Sequence, residues 1–254
     1  MIKVEPKVYY ISFGEGDAGG MLSFLEDNKI AWRPDPAVSF LENVYEFAGR
    51  LCYESWESED GSFANKNLSK VRSGNSAYLE NVINQEHGSI FEHGGIILLF
   101  NNVSRVFTHE LVRHRAGSAF SQTSGRYVRL DDIKLWVPPS LNEEAQQVFK
   151  DTIEYMEQAQ KKLEKIYDID NMKDFGGKKK LTSAFRRIGP TGLANNILMS
   201  SNLRALRHII TMRTSPGAEE EIQLVFKDVA DTLVKKFPNA FQDWDGTKFT
   251  KAKI

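Results

Sequence analysis

Cysteine is nearly absent: Cys52 is the one thiol in 254 residues. It can form no intrachain disulfide and no thiolate-built metal cluster. A surplus of either charge is absent too. Lys and Arg number 33 against 34 Asp and Glu, a net charge of −1. That excludes general coating of DNA or RNA, which rests on excess cations, and leaves room for a local basic site that takes a small anion. Long apolar runs are also missing, with no stretch near the ~18 residues of a membrane span. The segment "MIKVEPKVYYISFGEG" lacks the apolar core of a secretory signal. The expectation is a cytoplasmic protein with no membrane and no nucleic acid polymer as partner.

What is present reads as alternating helix and strand signals. "VYYISF" (8–13) and the apolar run "GIILLFNN" (95–102) have strand character. Helical spacing runs over 37–55, just after Pro36, over 75–87 with Asn75 or Ser73 as cap, and over 104–115 with Ser104 as cap. It returns over 141–168, 202–213 and 218–237. "YVRL" and "IKLWVPP" look extended, "DFGGKKK" (174–180) reads as a flexible break, and "LTSAFRRI" as a short helix. No repeat or linker divides the chain. The expected fold class is α+β: one helix-rich domain over 1–254 with a central mixed β-sheet.

Three motifs look chemical and carry weak arguments. "GEGDAG" (14–19) matches the dinucleotide-binding glycine pattern after a strand. The stretch beyond it is short and broken by prolines, so a plain glycine turn is the expectation. "HELVRH" (109–114) has one residue too many for a zinc motif. Ligands at i and i+5 diverge by ~140° on a helix, and no metal is expected. Cys52 sits in "GRLCYE" with no base beside it, which reads as packed core rather than nucleophile.

A stronger signal comes from polar residues on apolar helix faces. On a helical wheel over 103–115, Val103, Val106, Phe107 and Leu111 form the apolar arc. Glu110, Arg113 and His114 fall in or beside it, while Arg105, Thr108 and Arg115 point elsewhere. Buried charge needs a partner or a ligand. Either Glu110 and Arg113 pair internally, or these residues floor a polar pocket. Over 202–213 the arc holds Leu203, Ala205, Leu206, Ile209, Ile210 and Met212, with Arg213 in its middle. Arg213 either meets an anion or snorkels out at the helix end. Asn202, Arg204 and His208 add polar groups. "HGSIFEH" (87–93) crowds His87, Ser89, Glu92 and His93 into one turn; Ser89 and Glu92 also fit a capping box.

In "RHRAGSAFSQTSGRY" (113–127), the RHR, serine-bearing spacer and SGRY resemble the signature of the flavin-dependent thymidylate synthases. "AGRLCY" (48–53), "HGSIFEH", "RRIGP" (186–190) and "NLRALRHIITMR" resemble further segments of that family, in order. The resemblance implies an enzyme in which FAD, reduced by NADPH, supports transfer of a one-carbon unit from methylenetetrahydrofolate to C5 of dUMP. The products are dTMP and tetrahydrofolate. It also implies a homotetramer with sites shared between subunits. Arg213 is implied as the catalytic residue, stabilising negative charge on the N3–C4–O4 side of uracil. No thiol attack is needed, which agrees with the single Cys.

By the same resemblance, dUMP meets Glu110, Arg113, Gln122, Thr123, Ser124, Gly125, Arg126, Arg186 and Arg213. FAD meets Ser89, Arg113, His114, Arg115, Gln122, Asn202, Arg204 and His208, with His87, Glu92 and Cys52 as weaker assignments. The chain departs from the family pattern in places. Eight residues separate Arg115 from Ser124 where seven is common, Glu110 stands where Gln is usual, and Gln122 stands where Glu is common. "TSPGAEEE" replaces a stretch where some members carry a His. Two other classes fit parts of the sequence. One is an NAD(P)-dependent dehydrogenase using Gly14, Gly16 and Gly19. The other is an RNA- or nucleotide-binding protein stacking bases on Phe120 and Tyr127.

Overall fold

Strand propensity and helical spacing resolve into fourteen elements in the computed structural model, which describes residues 1–68, 70–124 and 133–251. In order they are β1 (Ile2–Lys3), β2 (Lys7–Ser12), α1 (Gly19–Asp27), α2 (Phe40–Tyr53) and α3 (Asn75–Asn84). There follow β3 (Ile96–Ser104), α4 (Arg105–Leu111), β4 (Ser118–Gln122), β5 (Lys134–Leu135) and α5 (Glu143–Ile166). The chain continues through α6 (Phe175–Phe185), β6 (Ala194–Ser201), α7 (Leu203–Arg213) and α8 (Glu220–Lys236). Short 3-10 turns cover Gly88–Glu92 and Arg186–Ile188. Among the described residues, no helix is long and apolar enough to cross a membrane, and no group of His, Cys, Asp or Glu is placed to hold a metal ion.

The α+β class holds. The central sheet has strand order β2-β3-β6-β4, and every pairing in it is antiparallel rather than mixed. Among the described residues, parallel pairing is confined to the short β1–β5 pair. Ile96, Leu98 and Phe100 of β3 and Ile197 and Met199 of β6 are fully buried on the inner face. Against them pack Leu206 and Ile210 of α7 and Ile222, Phe226, Val229 and Leu233 of α8. The α8 positions repeat at helical spacing, so one stripe enters the core. Phe100, Phe107 and Phe226 contact one another with ring centroids 5.2 to 6.1 Å apart, tying α4 to the sheet and to α8.

Several sequence expectations change for local reasons. The helix foreseen from 37 starts at Phe40. Ser39 caps it, its Oγ accepting from Glu42 N at 3.3 Å and donating to the Glu42 carboxylate at 2.9 Å. Asn75 is not a cap: Gly74 takes that position, and Asn75 instead donates to Glu42 O and Glu46 Oε2, both at 2.9 Å. Ser104 caps α4 as expected, accepting from Phe107 N at 3.0 Å. The supposed flexible break 174–180 is the start of α6, because the Asp174 side chain accepts from Gly176 N and nucleates the first turn. "YVRL" lies outside the described residues.

Four elements were not foreseen: β1, α1, β4 and β6. Strand β6 is central, and its alternation buries Asn195, Ile197, Met199 and Ser201. Polar residues stand at both ends of that buried set, which masks its period. Residues 118–122 form strand β4 because they pair with β6, where the sequence suggested a loop. The dehydrogenase reading fails at the same level. "GEGDAG" does lead from β2 into α1, yet β2 is an edge strand antiparallel to β3. Gly14 has φ of 68°, and a Cβ there would fall 2.5 Å from Leu41 Cδ1. That glycine serves a tight turn and close packing.

Candidate active site

Helix α4 stops at Leu111, so "VRHR" forms the turn leaving it rather than its last helical turn. Gly117 closes this turn at φ of 69°. A Cβ at Gly117 would sit 2.7 Å from the Asn202 amide. Asn202 N donates to Gly117 O at 3.0 Å, and its side chain caps α7 by accepting from Ala205 N at 2.9 Å. One residue thus fastens the turn to the start of α7. Between them opens a cleft of about 770 Å³ lined by Arg113, His114, Arg115, Asn202, Arg204 and His208, with Glu92 opposite. All seven were singled out from sequence. Arg204 pairs with the Glu92 carboxylate.

Arg213, at the end of α7, is tied to α4 and its following turn by three bonds. Nη1 donates to the Glu110 carboxylate, Nη2 to the Glu110 backbone O at 2.9 Å, and Nε to His114 Nε2 at 2.9 Å. The Arg213 side chain is 16% exposed and that of Glu110 29%. Arg213 therefore turns inward instead of snorkelling, and Glu110 pairs with it rather than with Arg113. Arg113 is exposed at the cleft wall. Three of five guanidinium N–H groups are used in these bonds, which leaves two on the Nη atoms.

Accepting at Nε2 requires His114 to be neutral with its proton on Nδ1. Its surroundings enforce this. Burial first, then the charges of Arg213, His208 and Arg113, lower its pKa to about 4. The His114 and His208 rings meet edge to face with centroids 5.8 Å apart. Behind α4, Glu219 caps α8 by accepting from Glu221 N and Ile222 N at 3.0 and 3.3 Å. Its pKa is raised, mainly by burial and less by Glu110. Glu221 accepts from Ser104 N at 2.8 Å and from Ser104 Oγ, and burial pushes its pKa up to about 7.

Other expected residues stand apart from the cleft. Gln122 ends β4, exposed, with Nε2 donating to Thr108 Oγ1 at 3.0 Å. Thr123 N donates to Asn196 O at 3.0 Å, and Ser124 follows it. Gly125 and Arg126 lie outside the described residues. Ser89 is exposed in the 3-10 turn and makes no cap; its position inside that turn, rather than before it, rules out the capping box. His87 is exposed and stacks on Tyr53, rings 5.6 Å apart, with Tyr53 Oη 3.2 Å from Nδ1. Arg186 is exposed at the end of α6 and does not line the cleft. Cys52 is exposed on α2, so it is not core as the sequence suggested. Met212 is exposed although its wheel position was apolar. His109 and His114 do not share a helix. Phe120 packs its ring on the core from β4, which removes it as a base-stacking platform.

The helical wheel turned Thr108 away from the core, and sequence reasoning passed over Arg207. Thr108 is instead 2% exposed, and its Oγ1 accepts from Gln122 of β4. Arg207 is buried between α7 and the C-terminal segment. It forks onto Asp243 at 2.8 and 2.7 Å and lies 4.0 Å from the Phe249 ring centre. Its spacing from Leu203 and Ile210 was the available signal.

A family model described as thymidylate synthase complementing protein matches residues 39–239. The flavin-dependent thymidylate synthase of Corynebacterium diphtheriae is 30% identical over 237 residues, covering 91% of this chain and 90% of that one. The Mycobacterium marinum protein of the same description is 32% identical over 231 residues, covering 88% and 87%. Among solved structures, the UMP/dUMP methylase PolB of Streptomyces cacaoi, bound with 5-Br dUMP, shares the fold. Its TM-score is 0.65 at 18% identity, over 98% of this chain and all of that one. The family match spans most of the chain and agrees with the Arg- and His-lined cleft, so the chain belongs to the flavin-dependent thymidylate synthase family.

Proposed function

We propose that this chain, acting as one domain, is an FAD-dependent thymidylate synthase that converts dUMP to dTMP. Methylenetetrahydrofolate is the one-carbon donor and NADPH the reductant of the flavin. The observation that carries this is the Arg213 guanidinium, held by Glu110 and His114 beside the cleft. A cation already ordered by three bonds needs little rearrangement to face developing charge. With two N–H groups left, it can stabilise negative charge on uracil O4, making C5 nucleophilic. Neutral His114 keeps Arg213 in place without adding a competing cation.

The donor set also fits the flavin cofactor. Three guanidiniums, Arg113, Arg115 and Arg204, line one cleft with a single carboxylate, Glu92. Arginine forks match diphosphate oxygens, and a volume of this size suits a cofactor portion. FAD bound there and reduced by NADPH would supply the reducing equivalents that complete the methyl group. Gln122, Thr123 and Ser124 then lead into the dUMP-binding segment that includes Gly125 and Arg126.

Residues expected in one site are not all gathered in one chain: Ser89, His87 and Arg186 stand exposed outside the cleft. This supports a homotetramer in which neighbouring subunits complete each site. Val148, Tyr155 and Ile166 of α5 are 61%, 73% and 64% exposed and offer apolar association surface. A cytoplasmic location belongs to the same reading. Purified protein should show flavin absorbance and oxidise NADPH faster when dUMP is added. A colourless protein that gains no flavin on incubation with FAD would refute the proposal.

A further inference from the structure

Gln122 reaches from β4 to the buried Thr108 of α4, its Nε2 donating to Thr108 Oγ1. Thr108 Oγ1 lies 3.2 Å from Arg105 O, a carbonyl that can only accept. In this arrangement the single hydroxyl proton of Thr108 goes to that carbonyl. Its oxygen then accepts from the Gln122 NH2 at 3.0 Å, so one hydroxyl serves two partners. A flipped amide would draw the Thr108 proton to Oε1 and give up the bond to Arg105 O, so the orientation with NH2 toward Thr108 is favoured by one hydrogen bond.

We propose that Thr108 is a positioning residue that fixes the orientation of the Gln122 amide. It anchors Nε2 and leaves Oε1 as an acceptor for an N–H or O–H donor of the nucleotide. This rests on the dUMP-binding reading given above and extends it to a residue that touches no ligand. The consequence is particular to an amide at 122. A carboxylate offers an acceptor on either side, so its rotation changes nothing, and Thr108 can turn its proton toward it.

The test is a calorimetric titration of the purified flavin-loaded protein with dUMP. Thr108→Val keeps the shape and removes the anchor; dUMP binding should weaken about three- to tenfold, the range of one neutral hydrogen bond. Thr108→Ser should restore wild-type binding. In a Gln122→Glu background, adding Thr108→Val should change dUMP affinity by less than about twofold. An equal loss in both backgrounds marks Thr108 as a general packing residue and overturns the inference. So does unchanged binding by Thr108→Val in the wild-type background. A wild-type protein that binds no dUMP overturns the flavoenzyme reading and this inference with it, whereas normal wild-type binding with an indifferent Thr108→Val removes the inference alone.

Discussion

Replacing His114 by Gln removes a titrating ring while keeping an acceptor for Arg213 Nε. The native environment lowers the His114 pKa from its ordinary 6.5 to about 4, chiefly by burial and next by Arg213. Between those values the unfolded chain binds a proton that the native chain refuses, so stability rises with pH across this window and is lost as pH falls from 6.5 toward 4. At about 1.4 kcal/mol per pH unit the ceiling is about 3.5 kcal/mol. The ring is only half-buried, and solvent screening reduces this to about 1.5 kcal/mol. Glu221 works in the opposite sense. Its native pKa of about 7 lies above its ordinary 4.5, so its contribution is full below 4.5 and is lost as pH rises through 7. Both proteins carry Glu221, so it cancels in their difference. Urea unfolding at fixed protein concentration, from pH 4 to 7, should show wild type losing about 1.5 kcal/mol relative to His114→Gln on the way down. A flat difference, or one of opposite slope, refutes the neutral, Nδ1-protonated His114 inferred from the Arg213 bond.

Arg213→Ala should lower turnover of dUMP by at least about 100-fold, the scale of losing one charge-stabilising donor. Size-exclusion chromatography should show the assembly unchanged, and near-normal turnover would remove Arg213 from the chemistry. Asp243→Asn should destabilise the fold by about 3 kcal/mol, since it leaves the Arg207 charge buried beside Phe249 with one neutral acceptor in place of a carboxylate. Urea denaturation at neutral pH measures this, and a loss below about 1 kcal/mol would show that the pair is not closed from solvent.

Signals carried within a few residues were legible. The Ser104 cap, the long α5 and the apolar stripe of α8 depend on neighbours at i+3 and i+4, which any sequence displays. Sheet order was not legible. β6 carries polar residues on both faces and declares itself only when β3 and β4 pair with it. Without β6 in view, β4 reads as a loop.

By itself the sequence determined the cast of the candidate site: the cations of "RHR" and "NLRALRH" and an inward Arg213, in a chain without surplus charge. Only the tertiary structure decided who meets whom. Glu110 chose Arg213, 103 residues away, over Arg113, three residues away. A wheel gives directions about one axis, and α4 ends at Leu111 before Arg113 can share that axis. Partner choice follows from where α7 sets its last turn against α4, a relation between two helices that neither contains alone.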